Sequence, residues 1–227
     1  MTAILDDLSG WGVDRILCLG DLVGYGADPG ACLSLIRERA HAVVAGNHDY
    51  AVVGLTPLVF FNPYARAAAE WTSGELCQDD KAWLKSLPLV SQVGAASLVH
   101  ASPRHPEEWE YLFSREDGEE VFSSSPTPVC FLGHSHIPGV WIRERTRVTY
   151  HGAPERTELD PGCRYLINVG SVGQPRDRDP RAAYAIWDDG AGWVEWIRVP
   201  YAIPPAQEKI LSAGLPRFLS ERLARGA

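Results

Sequence analysis

Five side chains with metal-ligand character stand in four short, glycine-flanked or strand-end segments. Asp21 lies in Gly20-Asp21-Leu22-Val23-Gly24, Asn47 in Gly46-Asn47-His48-Asp49, His100 in Val99-His100-Ala101, and His134 and His136 in Gly133-His134-Ser135-His136. Each segment closes an apolar run, where a strand delivers its last side chain to one edge of a sheet and glycine permits a tight turn straight after it. One carboxylate, one amide and three imidazoles form a mixed oxygen and nitrogen donor set. Such a set suits Mn, Fe, Zn or Co over Ca or Mg, and the lack of a thiolate sets it apart from structural zinc sites. Singly, each segment has an ordinary explanation. An aspartate after a strand caps a turn, an Asn-His pair hydrogen-bonds within a loop, and two histidines can share a solvated turn. Their recurrence at the ends of apolar runs points instead to a divalent-ion site.

The elements that must position these groups follow from periodicity. Residues 3–8 read as helix, 15–19 as an apolar strand, 29–39 as a helix opened by Pro29, and 41–45 as a second strand. That is the alternation of parallel strands with crossover helices. Helical spacing of Ala, Trp and Leu returns at 62–75 and 79–87, with Pro88 as a stop. From residue 89 the pattern shifts to short β-type runs, at about 89–93, 96–100, 129–133, 139–143, 147–150, 164–168, 182–188 and 192–199. Residues 107–122 are acidic with interleaved aromatics and read as a helix or a loop over the site, and residues 204–225 read as a helical pair broken near Gly214 and Pro216. The expected fold class is α/β, in a single domain spanning 1–227 with its core at about 10–200 and C-terminal helices at 204–225.

Composition narrows the partners. The 227 residues are 45% hydrophobic and 22% charged, with eight tryptophans, which excludes a disordered chain. No apolar run approaches the ~20 residues that cross a bilayer, and the opening MTAILDDLSG lacks the basic-then-apolar pattern of a secretion signal. The five cysteines are scattered without CxxC spacing, which points to the cytoplasm and free thiols, with Cys18 and Cys130 as small buried hydrophobes. A net charge of -8 disfavours an extended nucleic-acid surface. Small phosphorylated substrates remain open, because a bound cation supplies positive charge locally. Nothing in the pattern specifies an oligomeric state.

The order GDxxG, GNHD, a strand-borne His and GHSH resembles the calcineurin-like metallophosphoesterases. The stretches GDLVGYGADP, VHASPRHPEEWEYL, GHSHIP and NVGSVGQPRD are similar to their small bacterial and archaeal phosphodiesterase branch, and the likeness covers about residues 10–200. It implies a two-sheet αββα sandwich. It implies a metal-dependent hydrolase of phosphodiester or phosphomonoester bonds that uses a metal-bound hydroxide for in-line attack on phosphorus. It also implies two divalent ions, Mn foremost with Fe, Zn, Co or Ni as options, bridged by Asp21. Asn47, His100 and His134 would complete one ion and His136 would serve the other. His48 would contact the phosphate and assist the leaving group, with Asp49 orienting its imidazole. A small phosphodiester or nucleotide is the implied substrate.

One part of the family pattern is not found. A DxH motif at the end of the first strand would donate an Asp and a His to the ion that His136 helps hold, and this sequence contains no such motif. The opening residues are similar to the helix that follows that strand, so the fold is expected to lack its first strand, through a misassigned start or an incomplete chain. The second ion would then keep only Asp21 and His136. An alternative follows from that loss, a catalytically impaired protein that retains one metal or a nucleotide for regulation. Outside the motifs, Arg104, Asn168 and Arg176 are candidate phosphate contacts, with Ser171 and Gln174 in the same glycine-rich segment as Asn168 and Arg176. A solvated surface and a polar turn are the competing explanations. His41, His105 and His151 read as ordinary histidines, and Trp71, Trp83, Trp193 and Trp196 as packing residues.

Overall fold

The computed structural model describes residues 1–152 and 154–227. In chain order the elements are α1 (Thr2–Leu8), β1 (Leu17–Cys18), α2 (Pro29–Arg39), β2 (Ala42–Val43), α3 (Asn47–Val52), α4 (Pro63–Glu75), α5 (Gln78–Ser86), β3 (Val90–Val93) and β4 (Ala96–Val99). They continue with α6 (Arg115–Val121), β5 (Val129–Leu132), β6 (Gly139–Glu144), β7 (Arg147–Gly152), β8 (Arg156–Glu158), β9 (Cys163–Asn168), β10 (Ala182–Asp188), β11 (Trp193–Val199), α7 (Ile203–Ser212) and α8 (Arg217–Glu221). Short 3-10 turns add Leu58–Phe60, Pro106–Glu108, Phe122–Ser124 and Arg222–Arg225.

A six-stranded sheet in the order β3-β4-β5-β9-β6-β7 forms one layer. The facing layer is made of two separately hydrogen-bonded pieces, β1-β2 and β10-β11-β8. β1 and β10 are each an edge of their own piece. Strand β5 shows why its run is apolar throughout. Val129 and Phe131 enter the core between the layers, beside Val44, Leu98, Ile167, Val194 and Trp196, whereas Cys130 and Leu132 point the opposite way. Both faces of this strand are covered, so period-2 alternation of polar residues is absent.

Helices cover the outer faces and complete an αββα sandwich. Val121 and Phe122 pack with Trp141 and Leu166 behind the six-stranded sheet. Leu33 and Ile36 of α2 pack with Val52, Ala69 and Leu84 behind β1-β2. Ile4 of α1 packs on Ala182, Tyr184 and Ile186 of β10. Helix α2 begins with Pro29 at its first turn, where a missing N–H costs nothing, and buries Pro29, Leu33 and Ile36 along one stripe. Full burial of each such Leu or Ile contributes about 1.5–3 kcal/mol. β1 runs parallel to β2, and β4, β5 and β9 run parallel to one another, so the loops that follow them gather at strand C-terminal ends. Crevices at such ends are where open α/β sheets bind ligands.

Candidate metal centre

Backbone geometry brings the first two motif loops into contact. Asp21 has φ 53° after Gly20 with φ 87°. A Cβ on Gly20 would lie 2.5 Å from the Gly46 nitrogen, and one on Gly46 would fall on Asp21 Oδ1, so both positions require glycine. Asp49, wholly buried, ties the loops together. Its Oδ1 accepts from the backbone N–H of Leu22 at 2.9 Å and of Val23 at 3.3 Å, and its Oδ2 accepts from Gly46 N–H at 2.9 Å. The His48 N–H donates to Asp21 Oδ1 at 3.0 Å. His134 and His136 also adopt left-handed backbone, with φ 61° and 60°. Each such conformation in a non-glycine residue costs roughly 1–3 kcal/mol, and residues of this kind collect at functional sites.

The imidazoles are held by backbone carbonyls. His100 Nδ1 meets Leu19 O at 2.6 Å and His136 Nδ1 meets Gln174 O at 2.7 Å, so the Nδ1–H donates in each ring and Nε2 is left with its lone pair. This is the arrangement that fixes the tautomer of a metal-binding histidine. His100 Nε2 stands 3.5 Å from Asp21 Oδ1 and 3.2 Å from His134 Nδ1. Two nitrogens bound to one ion at ~2.0–2.1 Å and near tetrahedral or octahedral angles lie roughly 2.9–3.4 Å apart. The amide oxygen of Asn47 is buried without any hydrogen-bond partner. It belongs to the residue between Gly46 and His48, both of which touch Asp21. His134 Nε2 is likewise buried without a hydrogen-bond partner.

Among the described residues no group of three or more His, Cys, Asp or Glu side chains is placed to hold a metal ion by itself. An amide oxygen buried without a partner, in the loop that touches Asp21, fits a divalent cation together with the lone pair of His100 Nε2. On the other side of Asp21, the Tyr25 hydroxyl lies between Asp21 Oδ2, at 3.3 Å, and His136 Nε2, at 3.5 Å.

Electrostatics favour the neutral form of three of the four imidazoles. Burial pushes His48 down to about 4, and burial followed by the charge of His100 pushes His134 down to about 3. His136 is lowered to about 3 by burial and then by the Arg176 guanidinium. All three are neutral at neutral pH, the state in which imidazole ligates a cation. Burial opposes protonation of His100, but the charge and hydrogen bond of Asp21 outweigh it and raise the group. The same pairing, against burial, holds Asp21 well below the ordinary carboxylate range. Asp49 moves the opposite way, to about 7, through burial and then the negative charge of Asp21.

The structure therefore gathers Asp21, Asn47, His48, Asp49, His100, His134 and His136. It differs from the sequence expectation at Asp49, which bonds three backbone amides and not the His48 imidazole. Consecutive residues of a helix point in different directions, and both belong to α3. The His48 ring is held instead by Gly24 O at 3.2 Å and stacked on Tyr25 at 3.8 Å between centroids. Arg104 is not brought to the cluster, because Glu110 and Glu120 engage its guanidinium at 3.1 and 3.3 Å. Asn168 spends its amide inside the protein, donating to Gly133 O and Ser135 Oγ and accepting from Gly170 N–H, which braces the His134–His136 turn. Arg176 does reach the cluster, donating to the Tyr25 hydroxyl at 3.3 Å. Sequence reasoning passed over Tyr25, Trp109, whose ring meets His100 edge-on, and Tyr111, which stacks on His134 at 4.0 Å. Tyr25 carried a signal, since it stands four residues after Asp21 inside the same glycine-rich turn.

A four-layer α/β sandwich with this cluster at its strand ends defines a class, and a profile described as the calcineurin-like phosphoesterase superfamily domain matches residues 1–190. The chain belongs to that superfamily. An uncharacterized protein of Methanocaldococcus jannaschii is 42% identical over 230 residues, which take in 100% of this chain and 92% of that protein. The symmetrical bis(5'-nucleosyl)-tetraphosphatase of Methylococcus capsulatus is 28% identical over 206 residues, 85% of this chain and 68% of that enzyme. The crystal structure of a metallophosphoesterase from Sphaerobacter thermophilus superposes with a TM-score of 0.85 at 41% identity, over 99% of this chain and 94% of that one.

Proposed function

We propose that this chain is a metal-dependent phosphoesterase that hydrolyses a small phosphodiester or phosphomonoester, with a nucleotide as the favoured substrate class. The observation that carries the reading is the buried, unpartnered Oδ1 of Asn47, in the loop whose Gly46 and His48 touch Asp21, the carboxylate that His100 meets in turn. In this reading Asp21, Asn47, His100 and His134 hold one divalent ion, Mn foremost, and Asp21 with His136 forms the protein's share of a second site. Ions bound there neutralise phosphoryl oxygens and lower the pKa of water, which supplies a nucleophile near neutral pH.

The remaining work falls to the chain's own side chains. Asp21 stays ionised through its pairing with His100. His48, fixed by Gly24 and Tyr25, keeps Nε2 free to contact phosphate and assist the leaving group. Asp49 acts as a positioning residue by locking the two loops that carry Asp21 and Asn47. Arg176 offers a guanidinium to phosphoryl oxygens. The nucleotide preference is supported by the likeness to a bis(5'-nucleosyl)-tetraphosphatase.

We extend the proposal to a single domain over 1–227 and to a cytoplasmic setting, the latter supported by five free cysteines and by the lack of any helix, among the described residues, long and apolar enough to cross a membrane. The test is to strip the protein with chelator, reload it with Mn, Fe, Zn, Co or Ni, and follow hydrolysis of bis-p-nitrophenyl phosphate, p-nitrophenyl phosphate and nucleotides. Turnover that needs the ion and disappears in Asn47→Ala is expected. Nucleotide binding without hydrolysis under any ion would sink the enzyme reading.

A further inference from the structure

Residues 109–113 carry three aromatic rings past the candidate centre. Trp109 meets His100 edge-on at 5.9 Å between centroids, and Tyr111 lies on His134 at 4.0 Å, 25° from parallel. Phe113 continues the stack on Tyr111, at 5.3 Å and 10°. Leu112, between them, is buried with Val99, Phe122 and Trp141 and anchors the segment. Such alternation sets Tyr111 and Phe113 side by side on the opposite face. Both ends of the segment are tied down. Arg104 donates to Glu110 and to Glu120, and the N–H groups of Phe113 and Ser114 each donate to Asp117 Oδ2 at 2.8 Å. Trp109 is held in left-handed backbone, φ 57°, a conformation uncommon for a bulky residue and one that collects at ligand clamps.

The rings themselves are open to solvent, Tyr111 being 48% exposed and Phe113 51%. Parallel rings 5.3 Å apart between centroids are slid past each other, which leaves part of each face uncovered. A second exposed pair shows what packing alone looks like. Tyr64 of α4 stacks on Phe218 of α8 at 4.6 Å, next to an apolar cluster in which Ala68 and Leu219 join the same two helices, and Arg222 lies over the Phe218 ring. Those rings hold two elements together. Tyr111 and Phe113 are neighbours in one loop, and the ring they lead to is His134, a candidate ligand of the cation. An aromatic surface that starts on that imidazole and ends in solvent fits a flat group carried on a phosphate ester. A nucleobase is such a group, since every base has a π face that stacks on aromatic side chains.

We propose that Tyr111 and Phe113 are the stacking platform for the nucleobase of a nucleotide whose phosphate is held at the candidate centre, so that the base is selected beside the ion. This deepens the phosphoesterase reading and rests on it for the place of the phosphate, but its test does not depend on turnover. The Mn-loaded full-length chain is titrated calorimetrically with the methylenephosphonate analogues of AMP and of ribose 5-phosphate, which carry a P–C bond in place of the scissile ester. The adenosine analogue is expected to bind at least about tenfold more tightly than the ribose analogue, and Phe113→Ala to erase most of that ratio. Tyr111→Ala is expected to do the same, whereas Tyr111→Phe keeps the ring and should hold the ratio within about twofold. Tyr64→Ala removes an exposed ring from the other stacked pair and is expected to bind like the parent chain. Unchanged thermal melting of each variant confirms that folding is intact. No binding of the adenosine analogue, a ratio near one, a ratio unaltered in Phe113→Ala, or one equally reduced in Tyr64→Ala overturns the proposal. So does a concentration-dependent dimer that dissociates in Phe113→Ala, which would assign the rings to a second copy of the chain. If the reloaded protein hydrolyses nothing while the ratio holds, only the enzyme reading falls. Hydrolysis of p-nitrophenyl phosphate with a ratio near one removes the platform and leaves the enzyme.

Discussion

The two oxygens of Asp21 look onto unlike surroundings. Oδ1 faces His100 Nε2 and the His48 amide, beside the loop whose Asn47 amide oxygen has no protein partner. Oδ2 faces the Tyr25 hydroxyl, which is also within reach of His136 and Arg176. One side is rich in lone pairs and short of donors. The other is already hydrogen-bonded through a phenol and bordered by a cation. The lesson is that a single carboxylate can stand between a side with unsatisfied acceptor atoms and a side whose groups are already hydrogen-bonded. Metal affinity should therefore be unequal across Asp21, with the tighter ion beside His100.

Removing donors from the first side should produce the largest effects. Asn47→Ala and His100→Ala are each expected to lower Mn affinity and hydrolysis by more than about 100-fold, beyond the ~10–100-fold typical of residues that only support ligands. Isothermal titration and initial rates read this directly. If His136→Ala weakens the tighter ion as much as His100→Ala does, the asymmetry is wrong. Next comes Asp49→Ala, which strands the buried N–H groups of Leu22, Val23 and Gly46. A loss of about 2 kcal/mol in urea unfolding is expected. An unchanged denaturation midpoint would show that these loops do not need their tie. Tyr25→Phe removes the hydroxyl between Asp21 and His136 and should alter only the weaker ion, leaving the tighter one within about threefold. A larger change in the tighter ion would merge the two sides into one. The smallest effect concerns the strand beneath Asp21. Burial pushes the thiol of half-buried Cys18 up to about 12 and that of buried Cys130 up to about 11, so thiol reagents at pH 8 should label exposed Cys77 first, Cys18 slowly and Cys130 least in the folded chain. Faster labelling of Cys18 in Asp49→Ala than in His136→Ala would locate the loosening on the first side.

Local signals carried much of the architecture. Pro29 at the head of an apolar stripe predicted α2 with the bounds the structure has, and continuous apolar runs predicted β5 and β9. β8 escaped because Arg156-Thr157-Glu158 is a short polar edge strand with no apolar run to betray it. That Asp21, His100, His134 and His136 would come together was legible since strand ends and flanking glycines are written in the chain. The role of Asp49 was not, because Asn47 opens a helix and so turns its neighbours apart. Trp109 and Tyr111 were unreadable for a different reason. Each matters only through segments distant in sequence, and aromatic or cationic residues in turns have many ordinary uses.

The hydrogen bond from His100 to Leu19 O closes a loop of 81 residues, and that from His48 to Asp21 closes one of 27. Loop-closure entropy of that kind must be met before the donor atoms can meet, so the centre cannot form as a local nucleus early in folding. It should be assembled late, once the six-stranded sheet and the Asp21 loop have docked. A cation added during refolding would then have little to bind in the first collapsed states. It would act chiefly by slowing unfolding, as a clasp fastened after the fold is made.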